Sequence, residues 1–139
     1  MINDPIVYPT RKDIELWIAF LKDTDHSIKK FLPITNRYWF DNILATIERV
    51  NNPYIVGVSC KAAHLFYYII KDHHFPDGNK RSGIATAYLF FLLNGYQIRS
   101  GERLRLLAKK VARSHGSKQK DQWINKIEKE FSYLCTRLT

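Results

Sequence analysis

A histidine, an acid, a glycine and two cations crowd the segment His73-His74-Phe75-Pro76-Asp77-Gly78-Asn79-Lys80-Arg81, and an apolar run from Ile84 to Leu93 follows. These residue types in this order suit chemistry on a polyphosphate. The apolar run reads as a helix, and a helix start offers unpaired backbone N–H groups and a positive dipole end to an anion. Gly78 lets the backbone turn and approach a ligand closely. Lys80 and Arg81 add positive charge at the same place, and an arginine can grip phosphate with a two-pronged fork. Asp77 is suited to magnesium, which takes one or two carboxylates together with phosphate oxygens. His73 can be neutral near pH 7 and take the proton of a hydroxyl nucleophile.

Each residue also has a plainer reading. His73 alone would be a helix C-terminal histidine facing the dipole, Asp77 a helix N-cap or first-turn acid, and Asn79 a turn residue. Lys80 and Arg81 alone would be solvated charges. However, two cations at a helix N-terminus oppose its dipole, and such a local conflict is expected where function overrides stability. His74 is expected to have a surface or packing role, and Phe75 to pin the loop into the core. A transition-metal cluster of His73, His74 and Asp77 is disfavoured, because adjacent histidines on a loop rarely converge on one ion and His64 and His115 stand apart.

The segment resembles the Fic/Doc motif, His-x-Phe-x-(Asp/Glu)-(Gly/Ala)-Asn-(Gly/Lys)-Arg-x-x-Arg, at His73, Phe75, Asp77, Gly78, Asn79, Lys80 and Arg81. Two features make it similar to the Doc (death on curing) branch rather than to the Fic adenylyltransferases. Lys80 stands where the latter carry Gly, and Ile84 stands where the motif's last Arg would be. The resemblance implies a toxin that transfers phosphate from ATP, with Mg2+, to a Thr or Ser hydroxyl of a target protein, for which a translation factor such as elongation factor Tu is suggested. In that role His73 would be the general base and Asp77 the metal ligand, with Gly78, Asn79, Lys80 and Arg81 as the phosphate cradle. Lys80 would fill the space that a Gly leaves for the phosphates, so that the nucleotide binds reversed and presents its γ-phosphate. Two alternatives stand beside this reading. One is Fic-type adenylylation; the other is a basic module that binds nucleic acid or an acidic partner without catalysis.

Elements must hold this loop in place. Thr10 is expected to cap a helix from Arg11 to about Leu21, with Lys22 to Ser27 as loop and a short turn around Ile28 to Phe31. A second helix is expected from Thr35 or Asn36 to Val50, stopped by Asn51-Asn52-Pro53. Tyr54 to Val58 is β-branched and aromatic and is the best strand candidate. Residues 59–72 read as a helix capped by Ser59, and residues 79–93 as a buried helix closed by Asn94-Gly95. Amphipathic helices at about 101–114 and 118–135 complete an all-α bundle with one small β element. The resemblance implies the same architecture, a Fic/Doc-like helical bundle with a small β-hairpin flap. In it Tyr54, Ile55 and Val56 would bind an extended target segment by strand addition.

The 139 residues, 45% apolar and 14% aromatic, suit a single domain over 1–139 with a real core. The longest uncharged apolar run is ten residues, too short to span a bilayer. No secretory signal is read at Met-Ile-Asn-Asp-Pro, and Cys60 and Cys135 lack metal spacing, so a reducing cytoplasm is expected. Of the net charge of +9, residues 99–139 carry eleven Lys and Arg against four acids. Lys109, Lys110, Arg113, Lys126 and Lys129 fall at the polar intervals of amphipathic helices, which favours a solvated face over a nucleic-acid surface. The inhibitory string (Ser/Thr)-x-x-x-Glu-(Gly/Asn) found in many Fic proteins is absent: Thr46 leads to Val50, and Ser117 to Asp121 and Gln122. An external brake is therefore expected; the resemblance to Doc suggests a small antitoxin of the Phd kind, expected to be acidic because residues 99–139 are so basic.

Overall fold

The computed structural model describes residues 5–24, 37–72, 78–99, 101–114 and 120–138. Within them the order is α1 (Arg11–Thr24), α2 (Arg37–Val50), α3 (Val58–Lys71), α4 (Asn79–Leu93), β1 (Tyr96–Ile98), α5 (Gly101–Arg113), α6 (Lys120–Leu134) and β2 (Cys135–Arg137). The all-α bundle with a small antiparallel sheet is as expected. No described helix is long and apolar enough to cross a membrane.

The centre is the pair α3 and α4, which make the most extensive contact among the described elements. Both are apolar nearly all round, so both must be enclosed. Leu65, Phe66, Ile69 and Ile70 of α3 and Leu89, Phe90 and Phe91 of α4 are buried. Small residues let the two backbones approach: Ala62 and Ala63 on α3, Gly83 and Ala87 on α4. α2 and α6 cover α3, α5 packs on both central helices, and α1 leans on α2 and α4. Phe131 of α6 meets Phe66 and Phe91 edge-on, at 5.2 and 5.5 Å between ring centres.

Local chemistry accounts for the helix ends. Thr10 and Asp13 cap α1 reciprocally: the Thr10 N–H donates to Asp13 Oδ2 at 2.9 Å and the Asp13 N–H to Thr10 Oγ1 at 3.2 Å. α1 runs on to Thr24 rather than stopping at Leu21, because the Thr24 hydroxyl bonds back to the Phe20 carbonyl at 2.8 Å. At the end of α4 the chain turns at Gly95, whose φ is 85°. The Asn94 side chain there accepts from the Val7 N–H and donates to the Val7 and Phe90 carbonyls, which fastens the N-terminal segment to the bundle.

The β element is not where the pattern placed it. Tyr54 to Val58 is a turn followed by the start of α3. Pro53 sits second in a β-turn closed by the Ile55 N–H to the Asn52 carbonyl at 3.1 Å, and Asn52 Oδ1 takes the Tyr54 N–H at 2.8 Å. Gly57, with φ at 95°, is the N-cap of α3, so Ser59 lies inside the helix and caps nothing. β-propensity reports fit to a partner strand, and Tyr54 and Val56 have none: they are 91% and 77% exposed. The pairing is instead β1 with β2, with Tyr96 opposite Arg137 and Ile98 opposite Cys135. The expected turn at 28–31 lies outside the described residues.

Candidate active site

The motif loop joins the C-terminal end of α3 to the N-terminal end of α4. Residues His73, His74, Phe75, Pro76 and Asp77 lie outside the described residues, while both legs of the loop are described. On the entry leg, Lys71 Nζ donates to the carbonyl and hydroxyl oxygens of Ser114, at 2.8 and 3.0 Å, and so ties α3 to the end of α5. Asp72 caps α3, its N–H donating to the Tyr68 carbonyl at 2.9 Å. Its carboxylate meets Arg49 Nη1 at 3.3 Å. That guanidinium lies over the Tyr68 ring at 3.7 Å, and Lys120 Nζ donates to the Tyr68 hydroxyl at 3.1 Å. The residue that precedes His73 is thus held from α2 and from the last turn of its own helix.

On the exit leg Gly78 is the N-cap of α4 in the left-handed region, φ 82° and ψ 9°, a conformation that costs an L-residue roughly 1–2 kcal/mol. Its carbonyl accepts from the Ser82 N–H at 2.9 Å, closing the first turn. The Ser82 hydroxyl is buried and accepts from Trp39 Nε1 at 3.1 Å, which pins that turn to α2. Asn79, Lys80 and Arg81 then occupy the first turn of α4, with no acidic residue among them. The structure therefore brings Gly78, Asn79, Lys80 and Arg81 together around one helix N-terminus, where backbone donors and cations favour an anion.

A cleft of about 380 Å³ opens beside this turn, between α1, α4 and α5. Lys80 and Arg81 stand on its edge and Ile84, one turn along α4, lines it. Trp17 and Tyr88 form an apolar wall, their rings stacked at 5.6 Å between centres, with Trp17 Nε1 donating to the Ala85 carbonyl at 2.9 Å. The sequence pattern puts Trp17 on the apolar face of its helix with Ile14, Ile18 and Leu21, but marks neither Trp17 nor Tyr88 as a site residue. Tyr88 was legible in principle, since it follows Ile84 by four residues on the same helix face. Trp17 was not, because only packing brings α1 to α4.

Tyr54, Ile55 and Val56 are elsewhere. Ile55 and Val56 border a separate groove of about 990 Å³ together with Leu93 and Asn94, at the end of α4 opposite to Gly78. With 15 residues in α4, the two ends are about 20 Å apart. The turn is not a strand, and it lies by the end of α4 opposite to Gly78.

Three other reactive groups lie among the described residues. His64 Nδ1 is 2.8 Å from the Cys60 carbonyl and its ring packs edge-on against Tyr68. Burial pushes the Cys60 and Cys135 thiols above their ordinary value of 9.0, which keeps them protonated near neutrality and makes neither an activated nucleophile. Among the described residues no group of three His, Cys, Asp or Glu side chains is placed to hold a metal ion.

The model of the Fic/DOC family matches residues 35–91, the stretch that holds α2, α3, the motif loop and nearly all of α4. No curated protein and no solved structure matches the chain. Over that stretch the chain is similar to the Fic/Doc family, whose members are typically transferases acting on proteins.

Proposed function

We propose that this chain is a Doc-like phosphotransferase that moves the γ-phosphate of ATP to a Thr or Ser hydroxyl of a target protein. The observation that carries the reading is the first turn of α4. Left-handed Gly78, Asn79 and the Lys80-Arg81 pair stand at one helix N-terminus beside a cleft of small-ligand size, within the segment that matches the family.

In this reading His73 takes the proton of the target hydroxyl as its oxygen bonds to the γ-phosphorus. The bond from that phosphorus to the β,γ-bridging oxygen breaks, and ADP leaves. The backbone donors at Gly78 and Asn79, with Lys80 and Arg81, hold the phosphate oxygens and balance their charge. Asp77, covalently next to Gly78, adjoins the same helix start and is the carboxylate that would hold Mg2+ against the phosphates. That pairing of one carboxylate with phosphate oxygens fits magnesium, which when bound neutralises charge on the donor. Ile84 supplies no cation to the cleft, and Lys80 occupies the position where a glycine would leave room for the phosphates. Both features support γ-phosphate transfer over nucleotidyl transfer.

The test uses ATP labelled at either the α- or the γ-phosphate, with Mg2+ and a cell lysate. Transfer of the γ label to protein, lowered roughly 10²–10⁴-fold in His73→Ala, is the expected result. Transfer of the α label would replace this reading with adenylylation, and transfer of neither would remove the enzymatic reading. As a toxin, the protein expressed alone should arrest growth in a His73-dependent way, with relief by an acidic antitoxin of the Phd kind. Harmless expression of a folded, active protein would point to a housekeeping modifying enzyme.

A further inference from the structure

We propose that Arg105 and Lys109 of α5 bind the phosphate tail of the donor, across the cleft from Lys80 and Arg81. The proposal rests on the ATP-dependent reading above and assigns a role to two residues that lie outside the motif. Arg105 and Lys109 are four residues apart on one face of α5, and both line the cleft that Lys80 and Arg81 edge from α4. Four cations therefore surround a space of about 380 Å³, and none of the described residues that line it is acidic. On α5, Glu102 reaches Arg105 Nη1 at only 4.0 Å, with both side chains largely exposed. Such a pair contributes little.

Like charges held around a cleft repel one another when it is empty and are relieved by a ligand of opposite sign. A nucleoside triphosphate bears several negative charges in a compact tail and an aromatic base that suits the wall of Trp17 and Tyr88. The concave shape and small volume fit such a molecule better than a nucleic-acid backbone, which calls for an extended basic stripe. Ile84 makes the sharing of the task intelligible. It lies on the cleft one turn beyond Lys80 and Arg81, so α4 contributes two cations to the cleft and the other two come from α5.

The test is calorimetric binding of Mg·ATP, Mg·ADP and AMP to the full chain and to Arg105→Gln/Lys109→Gln, which keeps the side-chain stems in place. Circular dichroism checks the fold of each variant. ATP affinity should fall roughly tenfold for each charge removed, with AMP affinity little changed. The charge-preserving pair Arg105→Lys/Lys109→Arg should retain most of the ATP affinity. Wild-type ATP affinity in the glutamine variant would overturn the proposal, as would an equal loss of AMP and ATP, or a charge-preserving pair as weak as the glutamine one. If the wild-type chain binds and transfers phosphate while the glutamine variant keeps its affinity, this proposal alone fails. If the wild-type chain binds no ATP, the phosphotransferase reading falls with it.

Discussion

Gly83→Ala sets two known effects against each other at the contact that holds the loop legs together. Alanine is the better helix former, which alone would stabilise α4 by about 1 kcal/mol. A Cβ on Gly83 would, however, lie 2.9 Å from Ile70 Cγ1 and 3.2 Å from Ile70 Cδ1, with the Phe66 carbonyl at 3.5 Å. Ile70 is fully buried, and Cγ1 is the inner carbon of its branch rather than a free end, so it cannot swing clear. Overpacking of this kind costs about 1–3 kcal/mol. The expected net effect is a loss of about 1 kcal/mol, measured by equilibrium urea unfolding. A double-mutant cycle isolates the cause. Ile70→Ala removes both clashing carbons and costs about 2–5 kcal/mol by itself. In that background Gly83→Ala should become neutral or stabilising, a coupling of about 1–3 kcal/mol. Strict additivity of the two substitutions would refute the close α3–α4 approach at this glycine.

Two further predictions concern the frame. Lys61 is 5% exposed and its Nζ donates to the Val50 and Asn52 carbonyls, each at 3.1 Å, satisfying the end of α2. Lys61→Met should destabilise the protein by about 1–3 kcal/mol in urea unfolding, since it leaves those carbonyls without their donor; an unchanged midpoint would show that water replaces it freely. Arg103 grips Glu130 with two bonds, Nε to Oε2 at 2.7 Å and Nη2 to Oε1 at 3.2 Å, joining α5 to α6. The Arg103 hydrogen bond holds the Glu130 carboxyl below its ordinary value of 4.5. A depressed folded-state value means that the contribution is complete above the ordinary value and is lost as pH falls through the folded one. Wild type should therefore exceed Glu130→Gln in melting temperature at neutral pH, with the gap closing as the medium is acidified below 4.5; a gap independent of pH would dissociate the pair from stability.

The helices were legible because their signals are local. Thr10 with Asp13, the Asn94-Gly95 stop and the unbroken apolar character of Ile84 to Leu93 each act within a turn or two of chain. Helix α4 accordingly begins and ends at the expected residues. The placement of Gly78, Asn79, Lys80 and Arg81 at the start of α4 was legible for the same reason, since a glycine at a helix start and its neighbouring charges are fixed by adjacency alone. The sheet was not. A three-residue strand such as Tyr96–Ile98 has no period to read, and it exists because α6 ends at Leu134 and delivers Cys135–Arg137 alongside it. The converse failure at Tyr54 to Val58 has the same root: its β-branched and aromatic residues prefer a strand only where another strand's edge is within reach, and Pro53 and Gly57 turn the chain before one is met. The cleft belongs wholly to tertiary structure. Trp17, Ile84 and Arg105 are distant in sequence, and only the packing of α1 and α5 on opposite sides of one face of α4 makes them neighbours, because burial of that face brings their helices together whatever the chain separation.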